Sequence, residues 1–298
     1  VISRWVGLSW RALTAADADA LRDLAAVCHA HDGGSPFATD PDYLAGRFLN
    51  GVAKAAFEDD RLAAAGAVRG IDPTGADPLT AMTGLVDPAW RGRGIGGFLL
   101  DWALDVATNP PQVETEMLTA EQDALFRGRG LRQTFSEDVM RAELVTAAGW
   151  TPLPAAVRLR EWSTRLAGQF FAVYAAAFAD RPGFPGWSRE QWIEWISDDP
   201  DFAPQWTLLA DAEGRDVGFV AGAPDPHRSA AWIVQVGVVP DARERGLGSA
   251  LVAEVMRRML AAGRQAVLLN VNTNNPRAAS VYRRLGFTAI GQRARYER

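Results

Sequence analysis

Apolar residues along the chain switch between two periods, and the switch happens twice in the same order. In KAAFEDDRLAAAGAVRG (54–70) two apolar runs flank a polar turn at Glu58–Arg61, which predicts a β-hairpin. TLLADAEGRDVGFVAGA (207–223) repeats that form around Asp211–Gly214. A further strand is predicted after each hairpin, LTAMTGLV (79–86) and AAWIVQVGVV (230–239). The period then becomes helical. Leu99, Leu100, Ala103, Leu104 and Ala107 recur at three- and four-residue steps, as do Leu251, Val252, Val255, Met256 and Met259. Gly263 stands where a helix C-terminus needs a left-handed residue. AVLLNV (266–271) reads as a buried strand, and NNPRAASVYRRLGF (274–287) as a helix with a capping Asn, an early Pro and a closing Gly286. TAEQDALFRGRGL (119–131) is a weaker copy of that last helix, with Phe126 opposite Tyr282 and Thr119 near the place of Asn275.

Each half therefore reads strand, helices, hairpin, strand, loop, helix, strand, helix, strand. Units of about 140 residues repeated once indicate a tandem of two domains rather than a solenoid of short repeats. The Pro- and Gly-containing seam TAAGWTPLPAA (146–156) lacks periodicity and marks a linker. The expected division is 1–147, a linker at 148–156, and 157–298. The expected class is α/β, in the sense of an α+β arrangement: each domain a mixed, mostly antiparallel sheet flanked by helices.

The loop between strand and helix is where the two halves agree best. VDPAWRGRGIGGFLL (86–100) and VVPDARERGLGSALV (238–252) share Val86/Val238, Pro88/Pro240, Arg91/Arg243, Arg93/Arg245, Gly94/Gly246, Gly96/Gly248 and Leu99/Leu251. A Gly-rich turn feeding a helix N-terminus presents unpaired N–H groups and partial positive charge, so it suits a pyrophosphate. Gly92, Gly94 and Gly97 also spell G-x-G-x-x-G, which leaves a nicotinamide- or flavin-binding oxidoreductase as a minor alternative. The second copy lacks that spacing, and both loops come late in their units, whereas a dinucleotide fingerprint opens its unit. No Gly-Lys-Ser/Thr occurs, so a Walker loop is excluded.

The shared Arg-x-x-Gly-x-Gly, preceded by Val-x-Pro, resembles the acyl-CoA loop of the GNAT superfamily of N-acetyltransferases. The second half carries it as Val238, Pro240, Arg243, Gly246 and Gly248, together with that family's later Asn and Ala-x-x-x-Tyr-x-x-x-Gly-Phe at Asn275, Ala278, Tyr282, Gly286 and Phe287. The likeness covers roughly 206–298 strongly and 55–140 more weakly, and the tandem layout is similar to that of two-domain members of the family. It implies two GNAT-like domains using acetyl-CoA as co-substrate. Val236, Gly237 and Val238 would form the strand edge for the pantetheine. The turn of Arg243, Glu244, Arg245, Gly246, Leu247, Gly248 and Ser249 would hold the pyrophosphate, and Asn275 would contact the CoA arm. Tyr282 would be the catalytic acid, since a phenol with pKa near 10 stays protonated beside a departing thiolate of about 8.5. In the first half the counterparts are Leu85, Val86, Arg91, Gly92, Arg93, Gly94, Ile95, Gly96 and Gly97. Phe126 there cannot donate a proton, so the first domain is expected to bind without turnover or to serve as scaffold, and the second to be catalytic. On residues alone Tyr282 also reads as a sheet-packing residue, Asn275 as a helix cap, and Arg243 and Arg245 as solvated charges.

Composition changes this picture little. A net charge of −5 offers no basic stripe for nucleic acid. No run of about 20 apolar residues predicts a membrane span, and VISRWVGLSW lacks the apolar core of a secretory leader, so the expected compartment is the cytoplasm. The single Cys28 excludes an intrachain disulfide, and His29 and His31 beside it lack metal-ligand spacing, so no metal is expected. The acceptor is expected to be the primary amine of a small molecule, attacking directly in a ternary complex, on a monomer or homodimer. The resemblance places its cleft near RPGFPGWSREQWIEWISDDPDF (181–202), where Trp187 and Asp199 suit a cationic amine. The same stretch also reads as a helix burying Trp192, Trp195 and Ile196 above solvated acids. The second function class is a non-catalytic acyl-CoA sensor or scaffold.

Overall fold

In the computed structural model, which describes residues 5–71, 79–146, 149–180, 186–198, 202–225 and 228–298, the chain divides into two units. Unit 1 comprises Val1–Val139 and Ala289–Arg298, and unit 2 comprises Met140–Thr288.

Unit 1 begins with β1 (Leu8–Ala12), α1 (Ala18–Asp32) and α2 (Pro41–Phe48). Asp40 caps α2 by accepting from the N–H groups of Asp42 and Tyr43, with Pro41 in the first turn, where its missing N–H is harmless. The predicted hairpin is β2 (Val52–Glu58) and β3 (Arg61–Ile71), followed by β4 (Leu79–Val86), α3 (Ile95–Val106), β5 (Pro111–Thr115), α4 (Ala120–Arg127) and β6 (Arg132–Glu143). Thr119 and Gln122 form a capping box on α4. The helices separate by face. Leu21, Leu24, Phe48, Ala55 and Phe57 pack on the α1 and α2 side. Val68, Met82, Leu100, Val113 and Phe126 pack on the α3 and α4 side.

The last strand, β12 (Thr288–Glu297), departs from the division drawn on sequence. Its residues from Ala289 onward belong to unit 1, where the strand lies between β5 and β6 and completes the order β1-β2-β3-β4-β5-β12-β6. Its register against β5 runs antiparallel from Ala294↔Thr115 to Glu297↔Gln112. Tyr296 fixes it there: the ring is fully buried and lies 4.9 Å from that of Phe126. The seam also moves, because Met140–Thr146 and the described part of the expected linker fall within unit 2. Met140, Ala142 and Leu144 are buried in that unit's core, and Leu144 N donates to Gln265 O at 2.8 Å.

Unit 2 repeats the plan with β7 (Val157–Glu161), α5 (Ala167–Phe178), α6 (Arg189–Ser197), β8 (Leu208–Ala212), β9 (Arg215–Pro224), β10 (Ala230–Val238), α7 (Leu247–Ala261), β11 (Ala266–Asn272) and α8 (Pro276–Arg284). The sheet order is β11-β10-β9-β8-β7, antiparallel except for β10 with β11. α7 buries an entire stripe, including Leu251, Val252, Val255, Met256 and Met259, and ends at Gly263 with φ +79°. Truncating one such leucine to alanine costs about 2–5 kcal/mol. No helix among the described residues is long and apolar enough to cross a membrane.

Candidate functional site

Both units open a notch in the sheet at the same place. In unit 2, β10 and β11 pair only over Ala230–Trp232 with Ala266–Leu268. β10 then bulges between Ile233 and Gln235 while staying on β9 as far as Val238↔Gly218. The edge from Ile233 to Val238 therefore has no partner on the β11 side among the described residues. In unit 1 the β4–β5 ladder ends at Met82↔Val113, leaving Thr83–Val86 in the same condition, with Leu85 buried. A strand edge of this kind can pair with an extended ligand.

Each notch runs into the shared loop. Gly246 (φ +77°) and Gly94 (φ +84°) cap α7 and α3 in the left-handed region, which an L side chain resists. The first helical hydrogen bonds are Ala250 N→Gly246 O and Phe98 N→Gly94 O, both 3.0 Å. The N–H groups of Leu247, Gly248 and Ser249, and of Ile95, Gly96 and Gly97, thus precede any intrahelical partner. A Cβ on Gly248 would meet only Val238 Cγ2 at 3.7 Å, and one on Gly96 only Leu125 Cδ2 at 3.6 Å and Val86 Cγ2 at 3.9 Å. Neither glycine is demanded by protein packing, and both leave the helix start open to an anion.

The loop side chains divide into latches and free ends. Arg243 Nε donates to Val238 O (3.1 Å), Nη1 to Asp180 (2.7 Å) and Nη2 to Ala177 O (2.9 Å). Arg91 repeats this with Val86 O (3.0 Å) and both oxygens of Asp32 (2.7 Å each). These forks are engaged by protein, so backbone amides with exposed Arg245 remain as the donors of the second loop. Glu244 takes φ +64°, where the first copy has Gly92 at +74°, and pairs with Arg277 of α8 at 2.9 Å. Arg93 lies over the Trp90 ring, and its carbonyl accepts from Trp5 Nε1 at 2.8 Å. Ser249 Oγ meets Thr151 Oγ1 at 2.9 Å, while a Cβ on Gly97 would strike Arg129 Nη2 at 2.6 Å. Gly237 is a packing glycine, since a Cβ would sit 2.7 Å from the Phe219 ring and 2.9 Å from Ala177.

The Glu244–Arg277 pair brings the second loop beside α8, the helix of Asn275 and Tyr282. Asn275 caps that helix, its Oδ1 accepting from Ala278 N at 3.1 Å, and its NH2 donors remain for other use. Tyr282 is 8% exposed, edge-on to Phe287. In unit 1 Phe126 takes that place. The nearby Tyr296 hydroxyl donates to Asp123, and the phenol is pushed above its ordinary 10, first by burial and then by that carboxylate.

Trp187 packs on Trp195 with ring centroids 5.0 Å apart, and Trp195 stays half exposed while Trp192 and Ile196 are buried. Asp199 lies outside the described residues. Cys28 is buried, its thiol pushed up to about 11 chiefly by desolvation. His31 Nδ1 pairs with Asp32 at 2.7 Å. Two features escaped the sequence reading. One is the Trp192 Nε1 bond to Gln235 Oε1 at 3.2 Å. The other is Asn270, a polar residue inside the apolar run AVLLNV, whose Oδ1 is buried without a partner. That interruption was the available signal.

Comparison with known proteins agrees with this geometry. The model of the acetyltransferase (GNAT) family matches twice, over residues 18–130 and 167–287. A mycothiol acetyltransferase of Clavibacter michiganensis subsp. michiganensis is 33% identical over 219 residues, covering 72% of this chain and 71% of its own. One from Frankia alni is 30% identical over 316 residues, covering 94% and 91%. Among solved structures, a GCN5-related N-acetyltransferase from Sphaerobacter thermophilus superposes with TM-score 0.77 at 24% identity, over 99% of this chain and 96% of that one. A tandem GNAT protein from the clavulanic acid biosynthesis pathway gives 0.65 at 16% identity, over 98% of both. With two notched sheets, two copies of the glycine turn and a family match in each half, the chain is a tandem acetyltransferase belonging to the GNAT family.

Proposed function

We propose that unit 2 transfers the acetyl group of acetyl-CoA to the primary amine of a small molecule, and that unit 1 performs no turnover. The observation that carries this reading is the asymmetry at one helix position: Tyr282 in unit 2 against Phe126 in unit 1, behind loops of the same construction. Family members use acetyl-CoA, and the residues of unit 2 fit it. The open turn from Glu244 to Ser249 offers backbone N–H groups to a pyrophosphate, and the unpaired β10 edge at Val236–Val238 offers main-chain partners to an extended pantetheine arm. The NH2 of Asn275 faces no competing duty as a cap.

In the transfer the amine nitrogen bonds to the thioester carbon as the carbon–sulfur bond breaks. One amine proton leaves to solvent, and the Tyr282 hydroxyl protonates the departing thiolate. Such acid catalysis supplies about 10²–10⁴-fold. Both acetyltransferase relatives are named for mycothiol, which makes that chemistry the first acceptor class to try. The cytoplasm is the proposed compartment.

The test is to mix the full chain with acetyl-CoA and glucosamine, S-methylcysteine, spermidine or tryptamine, following free thiol and N-acetyl product together. Amine-dependent release of both is expected. Tight acetyl-CoA binding with no thiol release from any amine would replace the enzyme with a binding module.

A further inference from the structure

The face of the unit 2 sheet covered by α5 and α6 carries Ala221 and Ala223 of β9, Trp232, Gln235 and Gly237 of β10, and Leu268, Asn270 and Asn272 of β11. The register fixes this side: Gln235 pairs with Ala221 and reaches Trp192 of α6, Gly237 abuts α5, and Trp232 pairs with both Ala223 and Leu268. A recess of about 90 Å³ opens there, lined chiefly by Trp195, Ile196, Phe202, Ala223 and the bulge residue Val234, with Thr207 as its polar side chain. Trp195 and Val234 are 44% and 42% exposed, among the few large apolar side chains left open to solvent. Asn270 follows Leu268, the last paired residue of β11, by two positions, so it stands at the notch on the same face.

Its side-chain oxygen is buried and accepts nothing. A buried amide oxygen without a protein donor is destabilising, and one that stands at a strand notch calls for a partner such as a water or a ligand. Of the other amides on this face, Gln235 already has its oxygen engaged by Trp192 Nε1 at 3.2 Å, and Asn272 Oδ1 accepts from Asn274 N at 2.9 Å. Asn270 is thus the open hydrogen-bond acceptor where the two strands part.

Unit 1 fills the same place with charged groups. Glu114, the first residue of β5 beyond its ladder, takes Arg47 of α2, Arg69 of β3 at 2.7 Å and Gln112 Nε2 at 2.9 Å. Glu116 takes the Tyr43 hydroxyl at 2.7 Å. The buried positions Leu44 and Phe48 of α2 correspond to Trp192 and Ile196 of α6 in the other repeat, so Arg47 and Trp195 hold corresponding positions. Where unit 1 is filled by an ion-pair network, unit 2 has a tryptophan, an alanine and an unsatisfied amide.

We infer that Asn270, together with the separate recess beneath Trp195 on the same face, recognises the acceptor: Asn270 Oδ1 receives an N–H of the attacking amine, and the mainly apolar recess holds the group that carries it. A neutral amide suits this task. It orients the amine through an N–H yet stabilises the unreactive ammonium less than a carboxylate in that position would. This inference rests on unit 2 being an acetyltransferase of amines.

The experiment uses the full chain and the best of the four panel amines. Asn270→Leu is expected to raise the amine KM about tenfold or more, the loss of one hydrogen bond to a desolvated partner. The calorimetric Kd for acetyl-CoA should be unchanged. Asn270→Asp is expected to keep amine binding and move the alkaline-rising limb of kcat to higher pH, because the new carboxylate raises the pKa of the bound amine. Asn270→Ser retracts the oxygen and replaces the leucine variant if that one does not fold. Wild-type transfer with an unchanged amine KM in the leucine or serine variant overturns this inference and leaves the enzyme reading standing. Absence of wild-type transfer overturns both.

Discussion

Arg91 and Arg243 do the same work in surroundings of different depth. Each ties the carbonyl at the end of a strand to a carboxylate from the first-helix side, fixing the entry to the glycine turn. The Asp32 side chain is 3% exposed and that of Asp180 is 62% exposed. The same contrast holds across the sheet, where Arg47, Arg69 and Glu114 close unit 1 while Trp195 and Asn270 leave unit 2 open. One scaffold, present twice, is thus tied by buried ion pairs in the half with Phe126 and left more open in the half with Tyr282. Loop geometry alone is the same in both halves; it is the groups facing the notch that differ, and on the proposed assignment they separate a working copy from an idle one.

The largest effect that would break this comparison is at Tyr282. Tyr282→Phe is expected to lower kcat by about 10²–10⁴-fold, read from steady-state thiol release, with acetyl-CoA affinity kept. A smaller effect tests the latches. Arg91→Ala leaves the buried Asp32 carboxylate without its main partner and is expected to cost about 2–3 kcal/mol in denaturant unfolding. Arg243→Ala, whose carboxylate partner is solvated, should shift the unfolding midpoint less. Burial alone would raise the Asp32 pKa, yet Arg91 and His31 hold it below its ordinary 3.8. Its contribution is therefore fully present above pH 3.8 and is lost as pH falls below that through the lower folded value. Equal losses in the two arginine variants, or a latch lost already at pH 5–6, would contradict the difference in depth.

Much of the fold was legible because its signals are local. The hairpins, the strand ends near Val86 and Val238, the cap at Asn275 and the stop at Gly263 all follow from residues within one turn or one alternation. β12 was not legible as a strand of unit 1, because its fit there depends on Tyr296 meeting Phe126, 170 positions away in the chain. At the proposed site, Gly246, Gly248 and Tyr282 could be named from the family resemblance. Arg243 and Gly237 could be named but not understood, since their duties lie with Asp180 and Phe219 across the fold. Asn270 was hidden by its neighbours: within a run of buried apolar residues a single amide looks tolerable until the strand beside it departs.

The central claim is that unit 1 lacks more than one hydroxyl. Its most direct test is the double change Tyr282→Phe with Phe126→Tyr, which moves the phenol from one unit to the other, assayed for amine-dependent thiol release. With Glu114, Arg47 and Arg69 still filling the acceptor side of unit 1, turnover should stay at the level of Tyr282→Phe alone. Recovery toward the wild-type rate would show that the first unit needed only its tyrosine, and the account would fail.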